Sequence, residues 1–243
     1  MPPTTQIRSN IPTGRRCPRR SDRWGEEIAA PPNFFYASDV PSGVKALHQE
    51  AITAAAREWG NFGPLEYWIS GKDMAKADEL ADEYCSHRES RDDISKDDCM
   101  RNEHTAKFFP EMAAKVCAAI QSGDPFSSAW RNGHRDWGIH LFSSSYPLGY
   151  AGLLRVPVAD DQKTAFHEYS RAVHHAYIST LDRETRDAMM GPIWFAEGGA
   201  EFMAQTATQK LRDAGALSGS ESALLAERML WERCRSGWST ILV

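Results

Sequence analysis

Apolar residues recur along this chain at helical spacing in most places and at strand spacing in two. Val44, Leu47, Ala51, Ala54 and Trp59 mark one face of a helix that opens near Ser38-Asp39 and Pro41 and is stopped by Gly60. The run Leu65 to Ser70, framed by Gly63-Pro64 and Gly71, has strand length and composition. Met74, Ala77, Leu80 and Tyr84 then share one side of a helix over residues 73–88, and Phe108, Met112, Val116 and Ile120 mark another, ended by Gly123-Asp124-Pro125. After the turn signal Asn132-Gly133, the run Trp137 to Phe142 (WGIHLF) reads as a second strand. Asp160-Asp161 can cap a helix to about Ile178, whose core stripe is Phe166, Tyr169, Val173 and Ala176. Pro192 suits the first turn of the next helix, with Trp194-Phe195 expected to bury beside it. A last helix is predicted near residues 221–236, with Leu224, Leu225, Met229 and Trp231 as its apolar positions. The order predicts an α+β fold, with a small mixed sheet in the N-terminal half and a helical C-terminal half. No internal repeat interrupts it.

Composition narrows the picture without deciding it. Residues 1–30 hold six arginines among Pro, Thr and Ser with no hydrophobic periodicity, so a disordered basic tail is expected there, followed by a single domain over 31–243. The tail resembles an organellar targeting peptide in being Arg-rich and acid-poor, while its prolines disfavour an amphipathic helix. A formal net charge of -5 gives no overall drive toward nucleic acid or anionic membrane. No apolar run approaches the length of a membrane span, and no secretory signal is evident. Cys17, Cys85, Cys99, Cys117 and Cys234 form no C-x-x-C pair, although a Cys85–Cys99 bridge closing the acidic segment between them is one reading; the compartment stays open. That segment, RDDISKDDC at 91–99, lacks the alternate acids, glycine and closing glutamate of a calcium loop and reads as a solvated loop.

Candidate chemistry gathers between Phe166 and Gln205. On the 160–178 helix, His167, Arg171 and His174 lie on a stripe about 100° from the core face. His167-Glu168 is a pair that can supply a metal ligand and a general base for a metal-bound water. On the next helix Glu197 and Glu201 project from one face, one turn apart. Gly198 and Gly199 each cost about 1 kcal/mol inside a helix, which implies that something packs very close there. Other chemistries lack their motifs: there is no G-x-S-x-G elbow, phosphate-cradling loop or dinucleotide fingerprint.

HEYSR followed by PIWFAEGGAEFMAQ resembles the gluzincin type of zinc metallopeptidase, which carries H-E-x-x-H on one helix and a W-[LF]-x-E-G-x-A-E-[YF]-like segment on the next. The likeness spans residues 166–205. It implies a zincin-like fold in which His167 is the first zinc ligand, Glu168 the general base and Glu197 the third ligand. Glu201 would orient a ligand. The strand holding Trp137, Ile139 and Leu141 would be the sheet edge that pairs with an extended peptide substrate over the active-site helix. An oxyanion-stabilising Tyr or His is expected from the C-terminal helices; the chain ends soon after Trp238, and a truncated reading frame is an expectation to keep in view.

The departure from the pattern is Arg171, which stands where the second histidine belongs. A guanidinium is permanently charged and cannot ligate zinc. His174 does not replace it, because seven residues of helix separate it from His167 by about 10.5 Å along the axis, and each imidazole must come within about 2 Å of the metal. His140 and His104 stay open as ligands from elsewhere. The sequence therefore predicts a metallopeptidase-like protein with impaired chemistry, Arg171 pairing with Glu197 or Glu168 where zinc would sit. The alternative is a non-catalytic peptide-binding or scaffolding module on the same fold.

Overall fold

The computed structural model describes residues 27–102, 104–122, 127–131, 139–144, 158–177 and 188–218. The expected N-terminal tail falls outside them up to residue 26, as does the helix predicted for 221–236. Residues 27–30 belong to the folded body, since Ile28 donates its backbone N–H to Asn61 and Asn61 donates its side-chain amide to the Ala30 carbonyl.

Among the described residues four strands, β1 (Asn33–Tyr36), β2 (Glu66–Ile69), β3 (Ser127–Arg131) and β4 (Ile139–Ser144), form one mixed sheet in the order β1-β2-β4-β3. β2 runs parallel to both β1 and β4, whereas β3 is antiparallel to β4. Neither β1 nor β3 was foreseen from the residues: each is short, and neither alternates polar with apolar side chains. Among the described residues these helices accompany the sheet: α1 (Ser42–Trp59), α2 (Met74–Glu89), α3 (Lys96–Asn102), α4 (His104–Ser122), α5 (Val158–Tyr177) and α6 (Ile193–Asp213).

All four residues of β2 are buried, because helices cover both faces of the sheet. Alternation along the strand sends Trp68 to one layer, among Ala77, Leu80 and Tyr84 of α2 and Phe109 and Met112 of α4. Tyr67 and Ile69 go to the other, among Ala51 and Ala55 of α1, Phe166 and Tyr169 of α5, and Ala204 and Ala207 of α6. The expectation of a helix-dominated α+β chain with a small mixed sheet holds in this coarse form, but β3 and β4 lie past the midpoint of the chain, so the sheet is not confined to the N-terminal half.

Three local expectations change. Asp39 does not cap α1, which begins after Pro41; its carboxylate accepts the backbone N–H groups of Lys72 and Asp73 at 2.8 and 2.9 Å. The 91–99 segment is not simply a solvated loop. Its second half opens α3, Arg88 pairs with Asp93 at 2.7 Å with both side chains buried, and Arg91 reaches Glu66 on the central strand. Cys85 and Cys99, both wholly buried, are joined in a disulfide across 14 residues, Cα to Cα 5.6 Å, which ties α2 to α3.

The strand expected at the sheet edge is an interior one. β4 pairs on both sides, Leu141 standing opposite Trp68 of β2 and Trp130 of β3, and Ile139 opposite Glu66. Its backbone groups are therefore taken, and it cannot add an extended substrate. Among the described residues the edges are β1 and β3, and β3 is the one that lies against α5. Trp137 falls outside the described residues.

Candidate functional site

Helices α5 and α6 pack side by side and present matching stripes. α5 carries Lys163, His167 and Arg171 at four-residue intervals, and α6 carries Glu197, Glu201 and Gln205 at the same interval. Since residues four apart stack on one helix face, two such rows meet as a ladder. Beneath it the helices touch through small residues: Ala165, Ala172, Ala196, Ala200 and Ala204 are buried, which lets the axes approach closely enough for the polar tips to join.

The ladder is fully engaged. Lys163 Nζ donates to Glu201 Oε1 at 2.7 Å, and Gln205 donates to the same oxygen at 2.9 Å. His167 uses both ring nitrogens, Nδ1 lying 3.2 Å from Glu201 Oε2 and Nε2 3.2 Å from Glu197 Oε2. Arg171 Nη1 donates to Glu197 Oε1 at 2.6 Å. The four sequence candidates His167, Arg171, Glu197 and Glu201 thus converge on one another, and Lys163 and Gln205 join them. The i,i+4 spacing of Lys163 before His167 was the signal that would have found the lysine.

Glu168 sits on the same helix turned toward the sheet. Burial raises its carboxyl above the ordinary range, and Glu197 adds to this, while His167 and Arg171 pull the other way. The buried Tyr67 hydroxyl is held protonated by burial and by the proximity of Tyr169 and Glu168. For His167, burial opposes the charged ring, but hydrogen bonds with Glu201 and Glu197 and the charges of Glu168 and Glu201 outweigh it, so its pKa stands above 6.5. Glu201 drops to about 2: the His167 hydrogen bond is the leading cause, burial resists, and Lys163 and Gln205 reinforce the drop.

Do these residues fit a zinc ion? Two donors bound to a tetrahedral zinc lie about 3.3 Å apart. His167 Nε2 and Glu197 Oε2, at 3.2 Å, meet that spacing. The position of a third ligand, one turn along α5, holds the Arg171 guanidinium instead, bonded to the same carboxylate that would ligate. His174 lies one turn beyond on the open side of α5, and partial desolvation of its ring together with Arg171 keeps it less basic than usual. His104, at the start of α4, is also exposed. Among the described residues no group of three His, Cys, Asp or Glu side chains is placed to hold a metal. Among the described residues the site offers two ligands and a cation, a donor set short of the three protein ligands of a catalytic zinc site.

The entrance to α6 departs from expectation. Trp194 and Phe195 do not bury beside Pro192; they are 73% and 61% exposed. Nor does anything pack against the glycines: a Cβ built on Gly198 or Gly199 would meet no atom within 4 Å among the described residues. No family model, curated protein or solved structure matches this chain.

Proposed function

We propose that this chain is a zincin-like, metallopeptidase-derived domain that has exchanged its metal for a guanidinium and holds an extended peptide without cutting it. The observation that carries the reading is the 2.6 Å bond from Arg171 to Glu197. A carboxylate pair facing a partly buried histidine needs a cation, and a fixed guanidinium supplies charge and several donors without a metal. It activates no water, because it cannot act as a Lewis acid at that point. The peptide's place is the outer edge of β3, which lies against α5 and has no strand beyond it among the described residues. Affinity would come from main-chain pairing, in the manner of strand addition, and the α5–α6 ladder would serve as a rigid floor.

One observation favours the second reading, a working zinc peptidase. Glu168 is a half-buried carboxyl whose pKa is raised by desolvation, which is the condition a general base requires. Metal analysis separates the two. Wild-type chain and Arg171→His, each given equimolar zinc and then mildly chelated, are measured for bound metal. The proposal expects no zinc in the wild type and about one equivalent in the variant, whose new imidazole completes the 3.2 Å donor pair. Stoichiometric zinc retained by the wild type overturns it. A companion measurement uses Glu168→Gln. Binding of capped extended peptides should be unchanged, with or without chelator, whereas in an enzyme the same substitution abolishes hydrolysis.

A further inference from the structure

The outward face of α6 is symmetric in its sequence. Trp194-Phe195 and Phe202-Met203 stand at equal distances on either side of Gly198-Gly199, so large pair, glycine pair and large pair follow in the same spacing from both ends. Helical geometry carries that symmetry into space. At about 100° per residue, Phe195 and Phe202 lie within about 20° of each other, Gly198 and Gly199 about 50° to either side of them, and Trp194 and Met203 about 90° to either side. Trp194, Phe195, Phe202 and Met203 are 73%, 61%, 68% and 40% exposed, and a Cβ on either glycine would meet no atom within 4 Å among the described residues. Ala200 and Ala204, both buried, lie on the far side of the helix. The charged residues between Trp194 and Gln209 are Glu197 and Glu201, and both turn away to pair with α5. An uncharged apolar patch of this kind marks an interaction surface.

We propose that this face is a dimer interface, closed by a second copy of α6 laid antiparallel across a two-fold axis between Gly198 and Gly199. In an isologous contact, if residue i meets residue j then j meets i. A patch symmetric about its own midpoint meets that condition with itself, and a patch shaped for an unrelated partner has no reason to. In this register Phe195 opposes Phe202 of the partner subunit, and Phe202 opposes Phe195 of the partner subunit, so one axis yields two ring contacts. Glycine faces glycine at the crossing and lets the two backbones approach. That approach offsets the cost of about 1 kcal/mol that each glycine imposes on a helix interior. Trp194 and Met203 flank the seam on its two sides. Three rings exposed to this degree offer roughly 400 Å². With Met203 and the positions along the seam, each copy covers roughly 600 Å², or roughly 1,200 Å² for the pair, where specific interfaces begin. Such a dimer forms as concentration rises and comes apart on dilution.

Light scattering on the full chain across a dilution series tests this. The mass is expected to rise from one chain to two with concentration. Phe202→Asp, which sets a charge at the seam in an exposed position, is expected to stay at one chain throughout with unchanged helical circular dichroism. The register has its own test, in which Phe195→Cys chains are mixed with Phe202→Cys chains and mildly oxidised. A 195–202 bond between two chains is expected, identified by mass mapping, while the second ring pair of that mixed dimer stays intact. Within one helix those positions stand about 10.5 Å apart along the axis, too far for a disulfide. A chain that stays single at the highest concentration overturns the proposal. If that single chain binds phosphatidylcholine vesicles and Phe202→Asp does not, the face belongs to a membrane surface instead. A dimer untouched by Phe202→Asp, or one that forms in the mixture without the 195–202 bond, overturns the proposal as well. None of these outcomes depends on whether Arg171 excludes metal.

Discussion

On one side of the sheet, α2, α3 and α4 meet through rings and a covalent bridge; on the other, α5 and α6 meet through alanines below and charges above. Trp68, Tyr84 and Phe109 interlock edge to face, with Phe35 stacked on Trp68 at 4.0 Å between centroids. The alanine seam between α5 and α6 buries far less area per residue, and bulk in that layer comes from Phe166 and Tyr169 together with Tyr67, Ile69, Ile52 and Leu65 around them. The difference teaches where this fold stores stability and where it stores chemistry. Polar side chains that must converge need close helix axes, and close axes need small residues. Aromatic packing would have pushed the two stripes apart.

Substitutions that treat the layers alike should therefore give unlike results. The largest loss is expected on the aromatic side: Phe109→Ala should cost about 3–5 kcal/mol in denaturant unfolding, because a fully buried ring leaves a cavity between α2 and α4. Replacing Cys85 and Cys99 together by alanine should cost about 3 kcal/mol, from a loop of roughly fifteen residues released in the unfolded chain. In the ladder, Glu201→Ala should cost about 2 kcal/mol, since it strands Lys163 and His167 at once. Arg171→Ala should cost less than about 1 kcal/mol, its ion pair being partly open to water. If the two ladder variants cost as much as Phe109→Ala, the contrast between the layers is lost.

A pH series sharpens the same contrast with a smaller signal. Glu201 is about 2 in the folded chain against 4.5 ordinarily, so its stabilisation is complete above 4.5 and drains away as pH falls toward 2. His167 is raised above 6.5, so its contribution is complete below 6.5 and is lost as pH climbs through the folded value. Glu168, raised by burial, has the opposite sign from Glu201 and softens the acid limb. Unfolding free energy should peak between pH 4.5 and 6.5. Glu201→Gln should flatten both limbs, because His167 loses its principal partner, whereas Phe109→Ala should lower the whole curve without changing its shape.

Much of this was legible in the residues. Helical periodicity located α1, α2, α4, α5 and α6 within a few positions, and β2 and β4 declared themselves by composition and flanking turns. Spacing placed His167 with Arg171 on one helix face and Glu197 with Glu201 on another, since a four-residue interval fixes a helix face whatever the fold; that the two faces meet is seen in their hydrogen bonds. Strand order was not legible. That β4 lies inside and β3 at the edge depends on pairing between segments far apart in the chain, and β3 (SSAWR) has no alternation to announce it. Trp194 and Phe195 misled for a related reason: an apolar pair implies burial by something, and the periodicity of one helix does not say by what. The 91–99 segment hid its role because two of its charges, Arg91 and Asp93, are spent on buried partners supplied by β2 and α2.

The Cys85–Cys99 bridge has a consequence for the order of events in folding. Neither sulfur reaches the surface, so no oxidant meets them once α2, α3 and α4 have closed over Trp68. The bond has to be made while that layer is still open, which sets a deadline for the oxidising machinery. Afterwards the same burial shields it from reductants, and a finished molecule can carry the bridge into surroundings where it could never have been formed.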